Sequence, residues 1–596
     1  MMFSRTGSGT LLPRIVRRGG IGPVSRLLRL VRIVLVSLAL VLLKPASGQS
    51  PQSDDQGGTV HGTVVNAATN APVPRALVHS SDDRFAMLTD SDGHFEFTLP
   101  KTKTEPSPSF RGEVNGRIFF ASSGTQLWLT ASKPGFLEHG LGRGERPVPA
   151  SVGNEVTIPL IPEAVIKGRV NLSASDGAAG VSVQIYSRRV QDGIPRWLPQ
   201  GMCPTNSSGE FRFAELAPGA YKVVTNEFMD NDPVGTFAGG PTYGYPPAYY
   251  PGVADFAAAA TIDLAAGQTF EAELTINSQP YYDVKIPVAN SSDDIPGGLN
   301  VRVWLQGQRG PGYSLGHNAA KGRIEGSLPN GNYIVEAMKF GQESASGTVN
   351  LKVAGAPAVG PTMTLTRTGS LTLEVKEEFN DTTPIDGGTW SDGRHTYKLR
   401  GPRTYLYPRL EPADDLREWG GGGIRPPNRP NDDVLVMENL MPGRYWLQLD
   451  TGRGYVAAAT MGGVDLLHEP LVVGSGSSAS IEIRMRDDGA ELTGTVAGMS
   501  ASPPISGDAG LREVWVYCVP LPDSPGRFQN LTSTDGTFTF AMMPAGSYRV
   551  LAFATPQEQL PYRDPEAMRV YESKGEIIHL SAGQKASVQV QVSSTN

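Results

Sequence analysis

Residues 205–224, TNSSGEFRFAELAPGAYKVV, hold the pattern that most constrains this chain. After a turn at Ser207-Ser208-Gly209, Phe211 and Phe213 alternate with Arg212, so both rings share one face of an extended strand. Pro218-Gly219 turns the chain again, and Tyr221 and Val223 return to that face. The result is a β-hairpin with one apolar side. Such a hairpin is marginal alone in water and needs a second layer to cover it.

The second turn recurs as apolar-x-x-Gly-x-Tyr at 216–221 (LAPGAY), 328–333 (LPNGNY), 440–445 (LMPGRY) and 543–548 (MPAGSY). Its tyrosines, Tyr221, Tyr333, Tyr445 and Tyr548, fall 112, 112 and 103 residues apart. A period near one hundred is the size of a single sandwich domain, which predicts tandem whole domains and not a solenoid of short repeats. The ring of each is expected to enter the core while its hydroxyl bonds a nearby backbone group, with the glycine permitting the tight turn. Seventy glycines and 48 prolines in 596 residues agree with many short strands joined by turns.

Residues 1–48 stand apart. They carry Arg5, Arg14, Arg17, Arg18, Arg26, Arg29, Arg32 and Lys44 and no acidic residue. The apolar run 33–43 is too short to span a bilayer and suits a signal-peptide core, and Ala46-Ser47-Gly48 offers small residues before cleavage at Gln49. Without this segment the chain has 44 basic against 59 acidic residues, which argues against a nucleic-acid partner. No second apolar stretch reaches spanning length, so no stable membrane span is expected after cleavage. The expected location is therefore periplasmic, cell-surface or extracellular. Cys203 and Cys518 lie in different repeats, are not expected to pair, and are expected to be small core residues. Export with so few cysteines points to a bacterial source.

The first repeat reads His61-Gly-Thr-Val-Val, then Pro72-Val-Pro-Arg-Ala-Leu-Val, Thr89-Asp-Ser-Asp-Gly-His-Phe-Glu-Phe and Leu127-Trp-Leu-Thr-Ala-Ser-Lys-Pro-Gly-Phe136. This order resembles the carboxypeptidase regulatory-like domain, and the resemblance implies an all-β fold of Greek-key sandwiches of the prealbumin or transthyretin type, carbohydrate-binding-like in outline. Related strings are Ile166-Lys-Gly-Arg-Val in the second span, and Leu492-Thr-Gly-Thr-Val with Thr532-Ser-Thr-Asp-Gly-Thr-Phe-Thr-Phe in the last. The expected organisation is a signal peptide at 1–48, then sandwiches at 57–162, 163–278, 279–367, 368–489 and 490–594. The first lacks the Gly-x-Tyr turn and carries a Lys/Pro/Ser-rich insertion to about Ser123. The third and fourth keep the tyrosine turn but lose the aspartate-glycine one.

The chemistry that the family name invites is not written here. A zinc peptidase needs a His-x-x-Glu pair, and none of the eight histidines has glutamate three positions on. In that family the regulatory-like domain is the non-catalytic appendage. Gly474-Ser-Gly-Ser is a turn between strands, without the helix of a nucleophile elbow. Asp90-Ser-Asp-Gly93 has too few ligands for a calcium loop and suits a hairpin turn, which Asp535-Gly536 reuses. No catalytic residue, cofactor or metal ligand is assigned, and the chain is expected not to be an enzyme.

Two aromatic stretches remain. Tyr243, Tyr245, Tyr249 and Tyr250 lie in a Gly/Pro-rich loop, where their rings either stack on a sugar or partner, or cover a sandwich end and cement two domains. From Trp390 to Trp419 the chain gathers His395, Tyr397, Arg400, Arg403, Tyr405, Tyr407, Arg409 and Arg417, as interface anchors or as ordinary cross-strand pairs. The expected function is an exported, non-catalytic scaffold for surface or periplasmic interaction and adhesion, with a protein partner or a glycan as its ligand. The alternatives are a carbohydrate-binding protein using the tyrosine loop, and an accessory partner of an outer-membrane transporter or hydrolase. Short linkers favour a rod, each sandwich adding about 30 Å, to about 150 Å for five end to end.

Overall fold

The computed structural model describes residues 56–593 apart from 82–83, 101–110, 115–116, 121–126, 138–146, 151, 154, 174–177, 231–241, 291–297, 309, 342–343, 384–386, 415, 417–421, 428–431, 498–513, 523, 527 and 558. The expected signal peptide, most of the 101–123 insertion, Arg417 and Trp419 lie outside the described residues. The chain divides into two compact units. The smaller takes residues 1–61, 96–125 and 151–154, and its described part includes a hairpin of Arg111–Val114 with Arg117–Phe120. The larger takes 62–95, 126–150 and 155–596.

The larger unit is built of β-sandwiches, and the second shows the plan most plainly. Its opening strand Ala164–Leu172 pairs antiparallel with Glu210–Leu216 and parallel with the closing strand Thr269–Ile276. The facing sheet runs Ile194–Pro204, Ser182–Gln191, Gly219–Thr225, with Ala248–Tyr249 and Ile262–Leu264 along the far edge. An opening strand held between a hairpin strand and the last strand is Greek-key connectivity. The fifth sandwich repeats it, with Ala490–Ala497 antiparallel to Thr537–Met543 and parallel to Lys585–Ser593. Among the described residues, four of this unit's cores lie within 164–276, 284–365, 371–485 and 490–590, the second to fifth sandwiches in the numbering used below. The helical pieces among them are three 3-10 turns.

The Gly-x-Val and Phe-x-Phe strings prove to be two halves of one contact. Gly168 stands opposite Phe211 in the ladder and Gly494 opposite Phe538, and each ring folds over its glycine. A Cβ on Gly62, Gly168 or Gly494 would lie 2.7, 2.7 or 2.1 Å from the Cζ of Phe95, Phe211 or Phe538. The ring thus replaces the missing side chain and buries surface worth roughly 1.5–3 kcal/mol. In the fourth sandwich the same ladder position pairs Leu373 with Leu435. Two medium side chains there fill the volume of one large and one absent, which explains why the motif fades while the strand pairing stays.

The recurrent tyrosines close each hairpin. Tyr221, Tyr333, Tyr445 and Tyr548 are at most 1% exposed. Each hydroxyl donates to the carbonyl four residues earlier, of Ala217, Pro329, Met441 and Pro544, at 2.7, 2.9, 2.8 and 2.7 Å. Burial raises the phenol pKa of Tyr333 and Tyr548. Six residues before three of these tyrosines the backbone is left-handed at non-glycine residues: Glu215 (φ 55°), Asn439 (φ 62°) and Met542 (φ 55°). At each the ladder register slips by one residue, a β-bulge that bends the strand into the turn. The third sandwich has no such slip along Tyr281 to Pro287.

At the first turns, a side-chain oxygen organises the backbone. Asp90 Oδ1 accepts from the N–H of Asp92 and His94 at 2.9 and 2.8 Å, and Asn206 Oδ1 from those of Ser208 and Glu210 at 2.9 Å each. Cys518 is fully buried in the fifth core, and burial pushes its thiol up to about 12. Cys203 packs against the second core without being fully buried. It is half-buried at a sheet end, 3.9 Å from the Arg212 carbonyl.

An end-to-end row of sandwiches is corrected, for the larger unit. The tip of the second sandwich's long hairpin bonds the fifth, which in turn bonds the fourth. The Val190 N–H donates to Gln559 Oε1 at 2.7 Å, the Arg563 N–H donates to the Gly193 carbonyl at 3.1 Å, and Arg563 Nη2 donates to Gln448 Oε1 at 2.8 Å.

Candidate binding surfaces

The tyrosine loop is a seam between the second and third sandwiches. Thr242–Tyr245 pairs antiparallel with Gln279–Asn290, the strand that opens the third sandwich. Strand alternation then sends neighbouring rings to opposite faces: Tyr243 is 47% exposed and Tyr245 1%. Tyr249 is 4% exposed, packs edge-on against Phe256 at 5.8 Å, and donates from its hydroxyl to the Pro311 carbonyl at 2.6 Å. A Cβ at Gly310 would sit 2.0 Å from that hydroxyl, so the third sandwich approaches the ring by backbone. Tyr250 is half-buried against Phe270. The four rings therefore form no common exposed platform, and Tyr243 alone of them is largely open to solvent.

Glu227 reinforces this seam. Its N–H donates to the Gly312 carbonyl at 3.0 Å, and its Oε1 accepts from the Ser314 N–H and Oγ at 2.7 Å each. Its Oε2 is buried with no partner among the described residues. Burial pushes the carboxyl above the usual carboxylate range, against the opposing pull of Ser314.

A second seam is polar and was not legible in the sequence. Around Arg563 it brings together Trp446, whose ring lies 5.6 Å from the guanidinium, Gln448, and the hairpin tip at Gly193. Burial lowers the Arg563 pKa, while Glu411 is held above its usual value by burial and then by the charge of Asp192. Residues 115 and 369 positions apart carry these bonds, so no local pattern announces them.

The 390–419 stretch is no single patch. Tyr405 is 3% exposed in the fourth core, and Arg403 is buried, its guanidinium donating to the carbonyls of Arg425 and Val434 at 2.9 and 2.5 Å. Upstream, Thr389–Ser391 and Thr396–Lys398 form a separate two-stranded ribbon. Asp392 builds its tip, where Oδ1 accepts from the N–H of Arg394 and His395 at 2.7 and 2.5 Å. Those donors hold the carboxyl below its usual range. Trp390 and Tyr397 are cross-strand partners with rings 6.0 Å apart and 17° from parallel, and His395 continues the row at 6.1 Å and 27°. Arg394, His395, Lys398 and Arg400 are exposed.

One further recess, a groove of about 880 Å³ on the second sandwich, is lined by Lys167, Arg169, Glu210 and Glu271 among others. Four of its charges pair, Lys167 with Glu271 at 2.7 Å and Arg169 with Glu210 at 3.0 Å, and Arg212 and Glu273 line it as well. Among the described residues no group of three or more His, Cys, Asp or Glu converges as a metal site, and no helix is long and apolar enough to cross a membrane.

No family model matches the sequence, and no curated protein does. Among solved structures, the TIE protein of Bacillus anthracis aligns with 92% of this chain and 73% of its own, at 10% identity and a TM-score of 0.14. The minor pilin of Streptococcus agalactiae aligns with 38% of this chain and 97% of its own, at 12% identity and a TM-score of 0.18. Two B repeat units of the collagen-binding protein of Staphylococcus aureus align with 66% of this chain and 92% of their own, at 11% identity and a TM-score of 0.12.

Proposed function

We propose that this chain is an exported, non-catalytic scaffold for interaction and adhesion at the cell surface or in the periplasm. The observation that carries this reading is the contrast between bonded seams and a two-stranded ribbon outside the sandwich sheets. Tyr249, Glu227 and Arg563 bond neighbouring sandwiches directly, while the Trp390–Tyr397 hairpin pairs with no other strand among the described residues. Seams fix the relative positions of sandwiches, and a rigid body holding out an aromatic hairpin suits capture better than turnover. Under the same reading the first, second and fifth repeats are carboxypeptidase regulatory-like domains.

Export is tested by fusing residues 1–55 to a phosphatase that is active only outside the cytoplasm; an inactive fusion sinks that part. Adhesion is tested with beads coated with the chain from Gln49 onward, counted on whole cells and on matrix. Beads that adhere no better than albumin-coated ones overturn the scaffold reading.

A further inference from the structure

We infer that the 389–398 ribbon is a glycan-binding site whose ligand is an acidic polysaccharide, one in which neutral sugars alternate with uronates. The inference rests on the scaffold reading and names the partner class for it. The ribbon unites two recognition chemistries within fourteen residues, 387–400. Trp390, Tyr397 and His395 form a row of near-parallel rings about 6 Å apart, the first two half-buried and His395 exposed, and the uncovered part of such a row is a surface for the C–H face of a pyranose. Arg394, Lys398 and Arg400 are exposed, and the single acid, Asp392, has Oδ1 taken up by turn N–H groups and Oδ2 3.4 Å from His395 Nδ1. The segment is thus locally basic on a chain with 52 basic and 59 acidic residues, and its charge complements carboxylates.

Other occupants fit less well. A peptide added as a strand needs an edge several residues long, and each strand here has three residues. A nucleic acid would bring a phosphate at every nucleotide toward an acidic protein. A polymer with a charge on every second sugar meets less of that repulsion, and its neutral sugars match the rings.

The test measures retention of the chain from Gln49 onward on immobilised hyaluronan, dextran, poly-L-glutamate and oligothymidylate at low salt. Hyaluronan alone should retain the protein. Retention should weaken at least tenfold in the Trp390→Ala/Tyr397→Ala variant and in the Arg394→Gln/Lys398→Gln/Arg400→Gln variant, and Trp390→Phe should restore most of it. Raising the salt should weaken binding further, because exposed charges are screened. Equal retention on dextran, on polyglutamate or on oligothymidylate overturns the inference, as does unchanged binding by either multiple variant. The bead assay run on the same proteins separates the two readings. Adhesion without hyaluronan binding removes the glycan site and leaves the scaffold, and loss of both removes both.

Discussion

Tyr249 and Tyr397 are the same residue in two polar, turn-rich segments, and the fold gives them opposite uses. Tyr249 disappears beneath Phe256 and bonds a carbonyl 62 residues away. Tyr397 stays half-buried on a two-stranded ribbon, its ring in a row with those of Trp390 and His395. The difference lies not in the residues but in what lies opposite. At Gly310 the third sandwich brings bare backbone up to the ring, whereas no third strand joins the ribbon among the described residues. An aromatic-rich loop therefore marks a binding surface only where no neighbouring domain covers it.

The largest expected effect breaks this comparison at the seam. Tyr249→Ala should cost about 3–5 kcal/mol in denaturant unfolding, as for other buried rings, while Trp390→Ala should cost about 1 kcal/mol or less. Similar losses at both sites would mean that the ribbon is part of the core. Next comes Gly310→Ala, expected to cost roughly 1–3 kcal/mol because its methyl collides with the Tyr249 hydroxyl. In the Tyr249→Ala background the same change should cost almost nothing, and a double-mutant cycle that shows simple additivity rules out the contact.

Acid should act on the two regions with opposite signs. The Glu227 carboxyl is raised in the fold, so its stabilising contribution is present below the ordinary glutamate range and lost as pH rises through the elevated value. The Asp392 carboxyl is lowered, so its contribution is present above the ordinary aspartate range and lost as pH falls through the depressed value. Thermal melts should show Glu227→Gln gaining on the wild type as pH rises to 8, and Asp392→Asn converging with it as pH falls to 3. Parallel pH profiles for the two variants would contradict the assignment.

The smallest effect concerns the bulges. Met542→Gly relieves a left-handed residue at the price of chain entropy, and should stabilise by no more than about 1 kcal/mol. The matching change at Ser327, where the third sandwich has no bulge, should destabilise.

Much of the fold was legible because its signals are local. Alternation places Phe211 and Phe213 on one face, Asn206 and Gly209 make a turn from their own atoms, and the tyrosine hydroxyls reach only four residues back. Chain distances of this size are the ones a sequence pattern records. The pairing of Gly-x-Val with Phe-x-Phe was visible as two motifs but not as one contact, since the ladder that joins them spans 43 residues, from Gly168 to Phe211. Bulges at Glu215, Asn439 and Met542 had no glycine to mark them.

The candidate sites were legible only as lists of residue types. From composition Tyr243, Tyr245, Tyr249 and Tyr250 looked alike; burial separates Tyr243 from the rest. Trp390, His395 and Tyr397 shared a segment with Tyr405 and Arg403, and it took the core of the fourth sandwich to remove the last two. The sequence by itself determined the strands, the turns and the repeat of about one hundred residues, because steric alternation and side-chain-to-backbone bonds act over a few positions. Tertiary structure alone decided which aromatic rings are seams and which are exposed, because burial depends on a surface contributed by residues 62 to 369 positions away.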